Sequence, residues 1–272
     1  MVIITNNIIN TKLSRIKSYK LVVGMTTWPA RIEYIRENIE SICKQKIVPD
    51  EFYLILSKKE FSNVDLPKYI DELQSKYNFF KILWVNNNIK QFKKNLPLLQ
   101  KYWNRNDVIL FTADDDVIYN PDYIFTVCDK FLELNENWKT ILTYNFGWPL
   151  ENPTYYEKDT RRVVGKFEIL IPSFFISPIV LNIEENDINK ENIWVSEDWW
   201  ITYNLRKNKK LKWYHWDFSN LNSLIFCDKI KEIKPLEDIY KYMPEFNKLS
   251  NVVELYSQKA KGKILLPNEI IF

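Results

Sequence analysis

Through the first half of the chain, short unbroken apolar runs alternate with segments whose apolar positions recur at helical spacing. Residues 21–25 (LVVGM), 52–56 (FYLIL), 80–85 (FKILWV) and 108–112 (VILFT) are apolar runs of strand length, and each reads as a buried strand. Between the first two, Ile32, Ile35, Ile39 and Ile42 share one helical face behind Pro29, a favoured residue of a first helical turn, and predict a helix that ends near Lys46. Residues 67–77, with Ile70 and Leu73 on one face, and residues 95–103, with Pro97 in the first turn, predict two more helices. Residues 1–19 are polar and irregular and predict a short strand or a loose arm.

This alternation predicts an α/β fold: a mostly parallel central sheet with covering helices. Ligands in such sheets sit beyond the carboxyl ends of the strands. Two chemically distinctive segments follow strand ends here, residues 26–31 and residues 114–116. Further on, the pattern predicts a helix over 121–134, a strand over 140–144, and a long loop or hairpin over 147–165. A strand over 167–176, a helix over 194–208 and a strand over 211–216 follow. No repeat or linker divides the chain. It reads as one domain over 1–272, with a C-terminal extension at 226–272.

Composition narrows the function classes. With 272 residues, 46% hydrophobic and 27% charged, the chain has the make-up of a soluble globular protein with an ample core. A net charge of +3 calls for no nucleic-acid partner. The basic stretch from Arg206 to Lys212 reads as a solvated helix end and turn, or as a weak attraction to anionic headgroups at the inner face of a membrane. Three widely spaced cysteines, Cys43, Cys128 and Cys227, fit neither a disulfide framework nor a thiolate zinc site, and imply a reducing, cytoplasmic setting. No stretch has the pattern of a secretory signal or the length of a membrane span. Only four glycines are present, and no P-loop motif occurs.

The strongest chemical signal is Asp114-Asp115-Asp116, directly after a buried strand. Three adjacent carboxylates repel one another, and a divalent cation would remove the penalty. Hard cations such as Mn²⁺ or Mg²⁺ take carboxylate oxygens and fill their other positions with phosphate and water. In an extended turn Asp114 and Asp116 project to one side, so one could reach a ribose hydroxyl while the other meets the metal. Ser196-Glu197-Asp198 opens a predicted helix. It reads either as an N-cap or as the place where Asp198 serves as general base toward an acceptor hydroxyl. His215, the one histidine, sits among Trp213, Tyr214 and Trp216. It reads as a packed structural residue or as a further ligand to metal or pyrophosphate.

Four segments together resemble the family 2-like glycosyltransferases of bacterial lipopolysaccharide and capsule clusters. They are Val23-Gly24-Met25-Thr26-Thr27-Trp28-Pro29-Ala30-Arg31-Ile32, Phe92-Lys93-Lys94-Asn95-Leu96-Pro97-Leu98-Leu99, the acidic run continuing to Tyr119 and on through Asn120-Pro121-Asp122-Tyr123, and Glu197-Asp198-Trp199-Trp200. They occur in the family's order, and the resemblance spans about residues 20–215. It implies a GT-A fold, a nucleotide-binding half at about 20–120 joined to an acceptor and catalytic half at about 121–225. It further implies transfer of a sugar, expected to be UDP-linked, to a saccharide or lipid-linked saccharide with inversion and with Asp198 as base. By the same resemblance Thr26, Thr27 and Trp28 wall the nucleoside, and Arg31 and Lys94 contact base or phosphate. Asp114 and Asp115 take the nucleotide, and Asp116 with Asp114 takes the metal. Two other readings are a sugar nucleotidyltransferase and a non-catalytic carbohydrate-binding protein. The missing glycine after the first strand disfavours the former, and the intact acids disfavour the latter.

Overall fold

The computed structural model describes residues 2–103 and 105–134, and three strands at 140–144, 212–216 and 224–226. Four parallel strands form the central sheet: β1 (Lys20–Thr26), β2 (Glu51–Ser57), β3 (Phe80–Val85) and β4 (Val108–Ala113). Their order is β3-β2-β1-β4. All four coincide with the apolar runs to within a residue or two, because both faces of a parallel sheet are covered and its strands need no polar side.

Helices α2 (Arg36–Cys43) and α3 (Lys68–Lys76) carry the crossovers from β1 to β2 and from β2 to β3. The next connection must pass back over β1 to reach β4. For a right-handed crossover, that reversal puts the connecting segment on the opposite face. The segment is a short 3-10 helix (Lys90–Lys94) followed by α4 (Leu96–Lys101). One layer of the core joins Val23, Met25, Leu54, Phe111 and Ala113 to Ile35, Ile39, Ile42, Ile70 and Leu73. On the other face the buried Val22, Ile55 and Leu110 lie toward Phe92, Leu96 and Leu98.

After β4 come β5 (Val117–Tyr119), α5 (Tyr123–Leu134) and β6 (Thr140–Tyr144). Strand β5 pairs antiparallel with β8 (Leu224–Phe226), and β6 pairs parallel with β7 (Lys212–Trp216). The sheet and its flanking helices are an α/β Rossmann-like fold, as expected. The predicted helix over 121–134 and the strands at 140–144 and 211–216 are present. The loop expected at 147–165, the strand at 167–176, the helix at 194–208 and the extension at 226–272 lie outside the described residues.

Two expectations are corrected. Residues 2–17 form a helix, α1 (Val2–Lys17), not a strand or arm. Tertiary contacts to α5 anchor it: Ile16 is buried, Lys12 pairs with Asp129 at 2.6 Å, and Arg15 Nη2 donates to the carbonyl of Leu132 at 2.5 Å. The helix after β1 starts at Arg36 rather than at Pro29. Residues 29–34 form turns instead, in which the amides of Arg31 and Ile32 both donate to the Trp28 carbonyl at 3.0 and 3.2 Å. Ile32 and Ile35 are still fully buried, so the helical spacing reported burial correctly but not the backbone.

The thiols of Cys43 and Cys128 are buried, which pushes both up to about 12 and leaves them protonated at neutral pH. Among the described residues no helix is long and apolar enough to cross a membrane.

Candidate functional site

The strand order dictates where this fold meets a ligand. From β1 the chain runs outward to β2 and β3, then returns to place β4 on the other side of β1. The strand order therefore reverses between β1 and β4, and open parallel sheets take ligands beyond the carboxyl ends at such a reversal. Thr26, Thr27 and Trp28 emerge there from β1, and Asp114, Asp115 and Asp116 emerge from β4.

The ladder between the two strands ends at Met25 opposite Ala113. Two residues further along each strand, the Thr27 hydroxyl donates to Asp115 Oδ2 at 2.7 Å, so this bond continues the strand register with side chains. The turn at Trp28 brings Arg31 back over the same point. Arg31 Nη1 donates to Asp115 Oδ1 at 2.8 Å and lies 4.0 Å from Asp116 Oδ2. Both oxygens of Asp115 are therefore taken within the chain. Thr26 donates its hydroxyl to the Ile55 carbonyl at 2.7 Å, while Trp28 is half-buried at the rim.

Asp114 turns the other way. Its carboxylate accepts from Lys94 Nζ at 3.0 Å, and its amide donates to the Tyr119 hydroxyl at 2.8 Å. Tyr119 is held by edge-on contacts with Phe111 and Tyr123, and its own amide donates to Ser41 Oγ at 3.1 Å. The acidic turn is thereby tied to α2 and to the core beneath it. Asp116 is buried, with the Arg31 guanidinium nearby.

Lys94 reaches Asp114 from the 3-10 segment that crosses the top of β1. Gly24 makes the crossing possible: a Cβ there would collide with the Lys94 carbonyl oxygen and lie 2.6 Å from Leu98 Cδ1. The preceding residue, Lys93, is buried and forms an ion pair with Glu60 beyond β2. Burial lowers the Lys93 ammonium below the usual lysine range, against the pull of Glu60.

Three carboxylates here face two cations of the chain, Arg31 and Lys94. The repulsion that the bare sequence would assign to a bound metal is met in part by these side chains. Burial raises the Asp115 carboxyl, opposed by Arg31 and reinforced by Asp116. Among the described residues no three His, Cys, Asp or Glu side chains converge to form a complete metal cage. Asp198 lies outside the described residues. His215 is placed only by its backbone, in β7 opposite Thr143 of β6.

The structure thus brings Thr27, Arg31, Lys94 and the three aspartates together beyond the carboxyl ends of β1 and β4. Gly24, Glu60, Lys93 and Tyr119 support them; Gly24, Lys93 and Tyr119 lie in the segments that carry the resemblance but were given no site role, and Glu60 was not noted. A lone glycine inside an apolar strand does signal a close backbone approach, and Gly24 carried that signal.

No protein-family model matches the chain, and no curated protein is significantly similar to it. Solved structures are similar to it at low identity. One is 4-diphosphocytidyl-2C-methyl-D-erythritol synthase from Anaerococcus prevotii, with TM-score 0.47 and 13% identity over 84% of this chain and 96% of that one. A cytidylyltransferase from Leptospira borgpetersenii gives TM-score 0.45 and 14% identity over 94% and 99%. TarS 1–349 of S. aureus in complex with UDP-GlcNAc gives TM-score 0.44 and 11% identity over 89% and 72%. None is close enough to assign chemistry, which must come from the chain's own residues.

Proposed function

We propose that this chain is a GT-A-type glycosyltransferase that moves a sugar from a nucleotide donor, UDP-linked in the first instance, to a saccharide or lipid-linked saccharide. The observation that supports this reading is the meeting of Arg31, Lys94 and the acidic triplet beyond the carboxyl ends of β1 and β4, where open parallel sheets hold nucleotides.

The donor set suits Mn²⁺ or Mg²⁺. Asp115 is committed to Thr27 and Arg31, Asp114 accepts from Lys94, and Asp116 lies 4.0 Å from Arg31. Two carboxylates without a full protein cage match hard cations that complete their shell with substrate phosphate and water. Asp116 and Asp114 would hold such an ion, which would supply positive charge for the departing diphosphate. His215 is a further candidate for that shell. Arg31 and Lys94 would bind diphosphate oxygens, and Trp28 would flank the base.

By resemblance, Asp198 takes the acceptor hydroxyl's proton. The acceptor oxygen then bonds to the anomeric carbon as the bond from that carbon to the diphosphate oxygen breaks. The electron pair leaves with the nucleoside diphosphate, and the anomeric configuration inverts. The setting would be cytoplasmic, at or near the inner face of the membrane.

The test compares two substrate mixtures. Nucleotide sugars with Mn²⁺ should release nucleoside diphosphate, faster with acceptor present and not at all with excess EDTA. Release of pyrophosphate from a nucleoside triphosphate and a sugar phosphate would instead identify a nucleotidyltransferase. Nucleotide at 100 times its dissociation constant should stabilise the fold by roughly 2.7 kcal/mol. No stabilisation by any nucleotide would leave only the carbohydrate-binding reading. Full turnover in EDTA would remove the metal from the mechanism.

A further inference from the structure

We infer that Asp115 is a positioning residue: together with Thr27 it fixes Arg31 so that the guanidinium binds the diphosphate of the nucleotide. This rests on the nucleotide-binding reading above.

The middle acid of the triplet has both carboxylate oxygens engaged within the chain. It is 8% exposed, Oδ2 accepts from Thr27 at 2.7 Å, and Oδ1 accepts from Arg31 at 2.8 Å. A carboxylate with both oxygens engaged inside the protein orients its partners better than it binds a substrate. Its partner is the group with capacity to spare. Arg31 presents Nη1 to Asp115, while its buried Nε–H has no acceptor among the described residues. A buried donor on a charged group is costly to leave unmatched. The Nε edge of guanidinium is also the fork that grips phosphate with two parallel bonds. The anchored end thus selects one rotamer, and the donor left unmatched among the described residues suits an anionic acceptor such as a diphosphate oxygen.

The three residues come from two strand ends in one register. Thr27 continues β1, Asp115 continues β4, and Arg31 follows the turn closed on the Trp28 carbonyl. The ladder between β1 and β4 therefore sets the place of Arg31. A lysine at position 31 could pair with Asp115 but could not present a second donor edge.

Binding of UDP and of uridine, measured calorimetrically in Mn²⁺, tests this with Asp115→Asn, Arg31→Gln and the double variant. Each single change should weaken UDP by about 10- to 100-fold, the range of a hydrogen bond to a charged group. The double variant should bind no more weakly than the worse single one, because both changes disable the same contact. Uridine affinity should stay within about twofold throughout, since it has no phosphate to lose. Should Asp115→Asn fail to fold, Thr27→Val removes only the second hydrogen bond. It should weaken UDP in the wild type but not beside Arg31→Gln, and Thr27→Ser should restore it. Additive losses in the double variant would mean that Asp115 contacts nucleotide or metal directly, and would overturn the inference. So would an equal loss for uridine, which would place Arg31 on the nucleoside. A wild-type protein that binds uridine but not UDP would likewise overturn it, while one that binds neither would remove the nucleotide reading itself.

Discussion

The carbonyl oxygen of Lys94 lies against the Cα of Gly24, where a side chain of any kind would collide with it. This contact sets the height at which the 3-10 segment crosses β1, and hence the reach of Lys94 to Asp114. Strand β1 is interior to the sheet and buried from Leu21 to Met25, so neither partner can yield cheaply. Gly24→Ala should cost about 1–3 kcal/mol by overpacking. Chemical denaturation would give that figure. Nucleotide affinity should fall as well, because Lys94 is lifted away from Asp114. A variant as stable as wild type would show that the segment is not seated on Gly24.

The same segment is anchored on its other side by Lys93 and Glu60, a largely buried ion pair. Removing one partner strands a charge away from water, a loss on the order of 3 kcal/mol. Glu60→Gln should therefore destabilise the fold clearly. Replacing both residues by apolar ones, Glu60→Leu with Lys93→Met, should recover most of that loss, since the penalty comes from the unpaired charge. Urea unfolding of the two variants decides it. Equal destabilisation by the single and double changes would show that the pair is worth more than its desolvation.

At the opposite end of the sheet Glu51 is ringed by donors. Burial alone would raise its carboxyl. Hydrogen bonds from Tyr102, Lys20 at 3.0 Å and Tyr53 at 2.9 Å, with Lys101 nearby, outweigh it and hold the group at about 2 rather than 4.5. A carboxyl lowered on folding stabilises the protein above its unfolded pKa, and that stability is lost as pH falls through the folded value. Glu51 should thus contribute fully above about pH 4.5 and progressively less toward pH 2. In Glu51→Gln the stability curve over this window should flatten relative to wild type, as followed by thermal melts. An unchanged slope would exclude Glu51 as a source of acid sensitivity.

The parallel sheet was legible because strands buried on both faces leave unbroken apolar runs, and residues 80–85 coincide with β3 to the residue. Helix α1 was not legible because its apolar residues form no continuous stripe: Ile8 and Ile9 are exposed while Ile16 is buried, and contacts to α5 hold it. Within the site, the order of acids, threonines and bases was readable from strand ends. The pairing of Arg31 with Asp115 was not, since it spans 84 residues and depends on β1 and β4 being neighbours. That adjacency is also why the acidic triplet is partly neutralised by the chain itself, which no local pattern could reveal.

Asp198 is assigned as base by resemblance, and its test must separate catalysis from capping. Both roles use one carboxylate at the start of a predicted helix, so a plain loss of activity would decide nothing. Asparagine keeps the size of the side chain and is among the best N-caps, but it is not basic. If Asp198 only caps, Asp198→Asn should leave turnover and melting temperature near those of wild type. If it takes the acceptor's proton, turnover should fall by roughly 10²–10⁴-fold while melting temperature and donor affinity hold. Glu197 is the internal control, adjacent in sequence but directed elsewhere around a helix, so Glu197→Gln should be milder. Turnover measured with saturating donor and acceptor is the deciding quantity. A near-normal value for Asp198→Asn would move the base to another residue and leave the inverting mechanism without its proton acceptor.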